Sequence, residues 1–260
     1  MLNEKSDLII ELYKKGKRLD GRKNKDKYRE IKIEKGVLAN ANGSARVEIG
    51  NTMVLVGVKF EVMTPFPDSA DEGMLMVNAE FSPIAHPEFE PGPPGETSIE
   101  LSRIVDRGIR ESKAIDMKKL CIKKGEKAWM VFIDIYIQNA DGNLIDAAAL
   151  ASLAALNNAK LPEYNEKTGI VDQHTLTKTG LSMNCQPIAC TFSFLPKDTV
   201  LVDTCCEEEK ESAGRFSITV SEKAIHSLQK GGVFGLSLED MNECVKKAFE
   251  LSKDLRKLVI

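Results

Sequence analysis

The chain has 260 residues, 42% of them hydrophobic and 29% charged, a size and balance that suit one large domain or two fused lobes around a sizeable core. A formal net charge of −3 excludes a protein that coats nucleic acid indiscriminately, which needs a broadly basic surface, but leaves room for a local basic patch. The nearly uncharged, apolar stretch from Ala147 to Ala159 falls short of the roughly 20 apolar residues that span a bilayer.

Leu8, Ile9, Leu12 and Tyr13 recur at helical spacing and predict an amphipathic helix from about Lys5 to Lys15, stopped by Gly16. This opening segment has neither the apolar run nor the cleavage site of a signal peptide, so the expected location is cytoplasmic, with no membrane partner. An LDGR turn (Leu19 to Arg22) leads into strands. Ala45, Val47 and Ile49 alternate with polar residues, Gly50-Asn51-Thr52 makes a turn, and Met53 to Phe60 is more continuously apolar, which together predict a β-hairpin. Residues 64–73 and 86–97 read as loops, with a strand from Met74 to Phe81 between them. A helix follows over Ser98 to Ser112, with Leu101, Ile104, Val105, Gly108 and Ile109 on its buried side. Ala128 to Gln138 is a β-branched and aromatic strand. After the turn Ala140-Asp141-Gly142, Leu144 to Asn158 reads as a helix without Lys, Arg or Glu, which must be buried almost all round.

A polar connection, Pro162 to Gly180, precedes strands near Ile188–Phe194, Val200–Thr204 and Arg215–Val220, then a short helix near Glu222–Gln229 and a turn at Gly231-Gly232. The last helix starts at Ser237, an N-cap with Asp240 three residues on, and its buried stripe is Met241, Val245, Ala248, Leu251, Leu255 and Leu258. Each half runs from strands into helices, an α+β fold in two lobes. The expected division is an N-terminal helix and basic extension (1–27), a first lobe (28–162), a connector (163–182) and a second lobe (183–260).

The six cysteines include no C-x-x-C pair, and His86, His174 and His226 lie far apart. A structural zinc is therefore not expected, and the thiols read as small packing residues. Arg103, Arg107 and Arg110 fall at i, i+4 and i+7 and share one helix face. Two uses fit them: anions answering the three charges, or exposed pairs of Asp106 with Arg110 and of Arg107 with Glu111. Arg18, Arg22 and Arg29 read as a solvated basic face or a subunit contact, Glu207 to Glu211 as a solvated acidic loop, His86 as a loop or packing residue and Trp129 as packing. Asn42-Gly43-Ser44 lacks the context of a nucleotide-phosphate loop.

Five stretches in order carry a resemblance. They are LDGR, NGSARVEIGNTMVLVGVKFEV (Asn42 to Val62), IELSRIVDRGIRES (Ile99 to Ser112), ADGN (Ala140 to Asn143) and LVDTCCEEEKESAGRFSI (Leu201 to Ile218). Together they resemble the RNase PH family over nearly the whole chain. HPEFEPGPPGE and ELSRIVDRGIRESKAID look closest to its non-catalytic branch in archaeal exosomes. The resemblance implies an RNase PH-like fold and an alternating heterohexameric ring with a catalytic RNase PH-like exosome subunit. It also implies RNA-binding cap subunits, single-stranded RNA as ligand, and phosphorolytic 3′→5′ degradation performed by the partner. Catalytic members carry a GGTR-like turn where this chain has Asn143, Leu144, Ile145 and Asp146, whose carboxylate would repel phosphate. They carry two aspartates where it has Glu209 and Arg215, and two arginines where it has Glu96 and Thr97. Arginine cannot serve as the acid or as a metal ligand. The resemblance thus assigns no catalytic residue, metal or cofactor here. It gives Arg103 and Arg107 to RNA phosphates and leaves open whether Arg110 joins them or only meets a neighbouring carboxylate. Two alternatives stand beside it: an active phosphate-dependent exoribonuclease using Glu209 and Asp203, and a ring scaffold with no RNA contact.

Overall fold

The computed structural model describes residues 4–196 and 199–260; the first residues of the predicted N-terminal extension, 1–3, lie outside the described ones. The chain opens with α1 (Glu4–Lys14). The first lobe is then β1 (Ile31–Lys35), β2 (Gly43–Ile49), β3 (Thr52–Met63), β4 (Met74–Phe81), α2 (Glu96–Glu111), β5 (Cys121–Lys123), β6 (Lys127–Asn139) and α3 (Leu144–Asn158). Its sheet runs β1-β2-β3-β6-β4, with β5 also paired to β6. All pairings are antiparallel except β4 on β6, which is parallel and leaves β4 at an edge. The strict alternation of the sequence places Val54, Val56, Val58 and Phe60 wholly inside.

Pro162 to Gly180 is more than a polar connection. It folds into a two-stranded antiparallel ribbon, β7 (Lys160–Asn165) and β8 (Ile170–Gly180), pinned to the first lobe where Gln173 Nε2 donates to the Phe60 carbonyl at 2.8 Å.

The second lobe consists of β9 (Ile188–Leu195), β10 (Thr199–Val202), α4 (Cys206–Lys210), β11 (Gly214–Val220), β12 (Ile225–Gly232) and α5 (Leu238–Val259), with an antiparallel sheet ordered β10-β9-β11-β12. The segment expected as a short helix near Glu222–Gln229 is instead the edge strand β12, whose Ser217↔Gln229 register zips it onto β11. Ile225 and Leu228 sit at helical spacing, but the open edge of β11 offers a full ladder of hydrogen bonds, and the ladder overrides a weak local preference. Ser237 caps α5 as expected, accepting from Asp240 N at 3.0 Å. The buried stripe of α5 ends on Leu255 and Val259, whereas Leu258 is exposed.

Helix α3 lies between the lobes, against β2 and β3 on one side and β9 on the other, with α2 beside it. Ala147, Ala148, Ala151, Ala154 and Ala155 are fully buried, as its uniformly small, apolar sequence requires. Among the described residues no helix is long and apolar enough to cross a membrane.

Candidate nucleic-acid interface

Helix α2 turns Leu101, Ile104, Val105, Gly108 and Ile109 inward, which fixes where its arginines point. Arg103 and Arg107 are exposed and border one groove of about 320 Å³, together with Glu96, Ile99, Glu100, Ile104 and Gln229. Arg107 Nη1 meets Gln229 Oε1 of β12 at 3.5 Å; the expected pairing with Glu111 is replaced by this contact across the lobes. Arg110 faces elsewhere. Its guanidinium grips both oxygens of Asp106, at 2.9 and 2.7 Å, and donates to the Leu75 carbonyl on the free edge of β4 at 3.0 Å. It borders a different cavity, beside Phe66, Lys113 and Met117. Of the three arginines, the fold brings two into one groove and ties the third to the edge of the sheet.

A second cluster lies where α3 begins. Asn143 and Asp203 both adopt left-handed backbone, with φ of 53° and 51°, a conformation that Asn and Asp tolerate better than other residues with a Cβ. They are joined by Asn143 Nδ2 donating to Asp203 Oδ1 at 2.9 Å. Gly142, at φ 77°, must be glycine because a Cβ there would stand 2.3 Å from the Thr204 carbonyl oxygen. The Asp203 carboxylate also accepts from Arg22 Nη1 at 3.0 Å and from Arg29 through its backbone N–H (2.7 Å), Nε (3.0 Å) and Nη2 (2.8 Å). Burial pushes Asp203 upward, but the hydrogen bonds and charge of Arg29 outweigh it and hold the carboxyl below its usual range.

Asp146 corrects the sequence reading. Its carboxylate does not project toward an incoming phosphate. It is fully buried and accepts from Tyr28 Oη (2.6 Å), Asn143 Nδ2 (3.2 Å), Thr191 N (3.1 Å) and Thr191 Oγ1 (2.8 Å). Burial dominates and raises it to about 6, with the hydrogen bonds pulling back. Glu209 accepts from Asn143 N at 3.1 Å and is also raised by burial, against the opposing pull of that N–H and of Arg215. Arg215 reaches away from this cluster to Glu100 of α2, at 2.5 Å.

The segments expected to be solvated are the interior of this region. Arg18 is buried, paired with both oxygens of buried Glu208, and donates to the carbonyls of Val202 (2.7 Å) and Asp203 (2.9 Å). Arg29 donates to the Asp141 carbonyl at 2.6 Å. Residues 207–211 are thus no acidic loop: most of them form α4, with Glu208 facing inward. The one signal in the sequence was complementary charge, three arginines in the first 29 residues against the carboxylates of 203–209. His86 sits in its loop as expected, its Nε2 3.8 Å from Cys206 Sγ. Trp129 packs edge-on against Phe60 and Tyr164.

Two sheets folded about a shared buried helix, with an ADGN turn seated against the DTCCEEE segment that opens α4, define a two-lobed α+β fold of the RNase PH kind. Residues 27–162 match the first domain of the 3′ exoribonuclease family (RNase PH), and 185–250 match its second domain; the chain belongs to that family. It is 45% identical to the exosome complex component Rrp42 of Methanosarcina acetivorans over 98% of this chain and 93% of the relative, and 44% identical to that of Pyrococcus horikoshii over the same shares. Among solved structures, a chain of the Archaeoglobus fulgidus exosome with RNA bound to the active site superposes with a TM-score of 0.89 at 40% identity, covering 98% of this chain and 97% of that one. A chain of an archaeal exosome core gives 0.84 at 36% identity, over 98% and 95%.

Proposed function

We propose that this chain is a non-catalytic ring subunit of an exosome of the archaeal type, working in the cytoplasm. It alternates in a hexamer with a catalytic RNase PH-like partner, beneath RNA-binding cap subunits, and holds single-stranded RNA while the partner phosphorolyses the 3′ end. The observation that carries the reading is that the arginines around Asp203 are held by the chain's own groups. Arg18, Arg22 and Arg29 are each spent on the chain's own carboxylates and carbonyls, and Arg215 is spent on Glu100. Phosphate transfer needs fixed cations free to meet the incoming anion, and these arginines are already engaged by the chain's own carboxylates and carbonyls. Of the two carboxylates that the active alternative would use, Asp203 is buried among its partners, and half-buried Glu209 accepts from Asn143 N. The near-full-length likeness to exosome components of two archaea supports the assignment to that complex.

Arg103 and Arg107 are the proposed RNA contacts, since a planar guanidinium suits two phosphate oxygens at once. The test is a ring reconstituted with the catalytic partner and carrying Arg103→Glu with Arg107→Glu. RNA affinity and decay should fall roughly tenfold or more, because reversing two charges removes two phosphate contacts, while the ring still assembles by gel filtration. Undiminished RNA binding would refute the arginine assignment, and loss of the ring would favour a scaffold role. Nucleoside diphosphate release by the purified chain alone would refute the non-catalytic reading.

A further inference from the structure

Glu96, Glu100, Arg103 and Arg107 follow one another at i, i+4, i+7 and i+11, so α2 sets two carboxylates beside two guanidiniums along one groove. Left to itself such a face has no net charge and would offer a polyanion little. The fifth charge comes from the other lobe. Arg215 of β11 puts its Nη2 2.5 Å from Glu100 Oε2, in a pair whose side chains are only 27% and 36% exposed. Its stem is aimed there by the neighbouring strand: Arg215 pairs in register with Gly231 of β12, and a Cβ on Gly231 would stand 3.2 Å from Arg215 Cζ. Gln229, two residues before Gly231 and on the same face of β12, accepts from Arg107. The second lobe therefore meets the α2 face at two points of opposite kind, an acceptor on a cation and a cation on a carboxylate.

From this geometry we infer that Arg215 is a positioning and charge-masking residue for RNA binding. It neutralises Glu100 so that the groove is net positive, and it holds the Glu100 side chain away from the phosphates that Arg103 and Arg107 engage. The inference rests on the proposed RNA contact of Arg103 and Arg107, and goes beyond it by assigning a role to a residue of the other lobe. A merely structural ion pair would stabilise the fold without altering the sign of the groove; a mask makes RNA affinity depend on whether Glu100 is answered.

The experiment is fluorescence anisotropy with a labelled single-stranded oligoadenylate, on rings carrying Arg215→Gln, Glu100→Gln, the two together, or Arg103→Glu with Arg107→Glu. Arg215→Gln should weaken binding roughly three- to tenfold at low salt, the scale of one uncompensated charge near a partly exposed site, and the deficit should shrink as salt screens it. Adding Glu100→Gln should restore affinity, and Glu100→Gln alone should tighten binding, a check that stands even if Arg215→Gln fails to fold. Wild-type affinity in Arg215→Gln, no recovery in the double variant, or no gain in Glu100→Gln each overturns the mask. If the Arg103 and Arg107 variant loses RNA while Arg215→Gln does not, the mask alone falls; if the arginine variant binds normally, the underlying reading falls with it.

Discussion

Arg18→Met tests whether the N-terminal basic segment belongs to the core. Arg18 and Glu208 have side chains only 2% and 0% exposed, and Arg18 also donates to two carbonyls of the β10–α4 connection. Truncating the arginine leaves the Glu208 carboxylate inside the protein without its guanidinium, still accepting from the Cys205 N–H at 3.2 Å. Breaking a buried ion pair from one side costs ~3–5 kcal/mol, because the orphaned charge has lost its solvation and its partner together. A solvated arginine would cost within about 0.5 kcal/mol. With an m-value of ~3 kcal/mol/M, the urea midpoint should fall by roughly 1–1.7 M, followed through the fluorescence of Trp129, the only tryptophan. Arg18→Met with Glu208→Leu removes both charges and should recover most of the loss. The remaining deficit, about 1–2 kcal/mol, reflects the carbonyls that Arg18 no longer serves. A single variant costing under about 1 kcal/mol, or a double variant no more stable than Arg18→Met, would refute the reasoning.

Two further outcomes follow from the same geometry. Asp146, raised to about 6 by burial, binds its proton more tightly folded than unfolded. Its contribution is complete below about 4 and is lost as pH rises through about 6, at a scale of ~3 kcal/mol for a shift of this size. Denaturation at pH 4.5 and 7.5 should show this slope in the native chain and lose it in Asp146→Asn, against the opposite trend from Asp203, whose lowered carboxyl gives up stability as pH falls. Arg110→Ala should cost about 1 kcal/mol, a modest figure because the side chain is 49% exposed, and should leave RNA affinity unchanged. A drop in affinity equal to that of an Arg107 variant would return Arg110 to the groove.

What the sequence displayed well was periodicity. The alternation of β2 and β3, the stripe of α2 and the uniformly apolar α3 each report a face that must be buried, and a face is a local property. What it hid was every relation whose partner lies far along the chain. Arg18 and Glu208 are 190 residues apart, and nothing near either tells that they meet; each alone looks like solvated charge. β12 was hidden for a related reason, since it is a strand only because β11 presents an unpaired edge beside it.

The three arginines of α2 show how far this extends into function. By spacing they are equivalent, and the difference between them is set by what stands opposite each one. Arg110 faces β4, an edge strand whose sheet partner among the described residues is β6 alone, and Arg110 donates to its Leu75 carbonyl. Arg103 and Arg107, a turn or two earlier on the same helix, face a groove whose far wall is the second lobe. There β12 offers Gln229, and β11 offers Arg215 to a carboxylate of the helix itself. The helix supplies a row of cations, but the sheets on either side decide which are tied into the fold and which stay exposed in the groove. A site of this kind is a property of the packing between lobes, and substitutions on β11 and β12 should tune it as strongly as substitutions on the helix that carries the arginines.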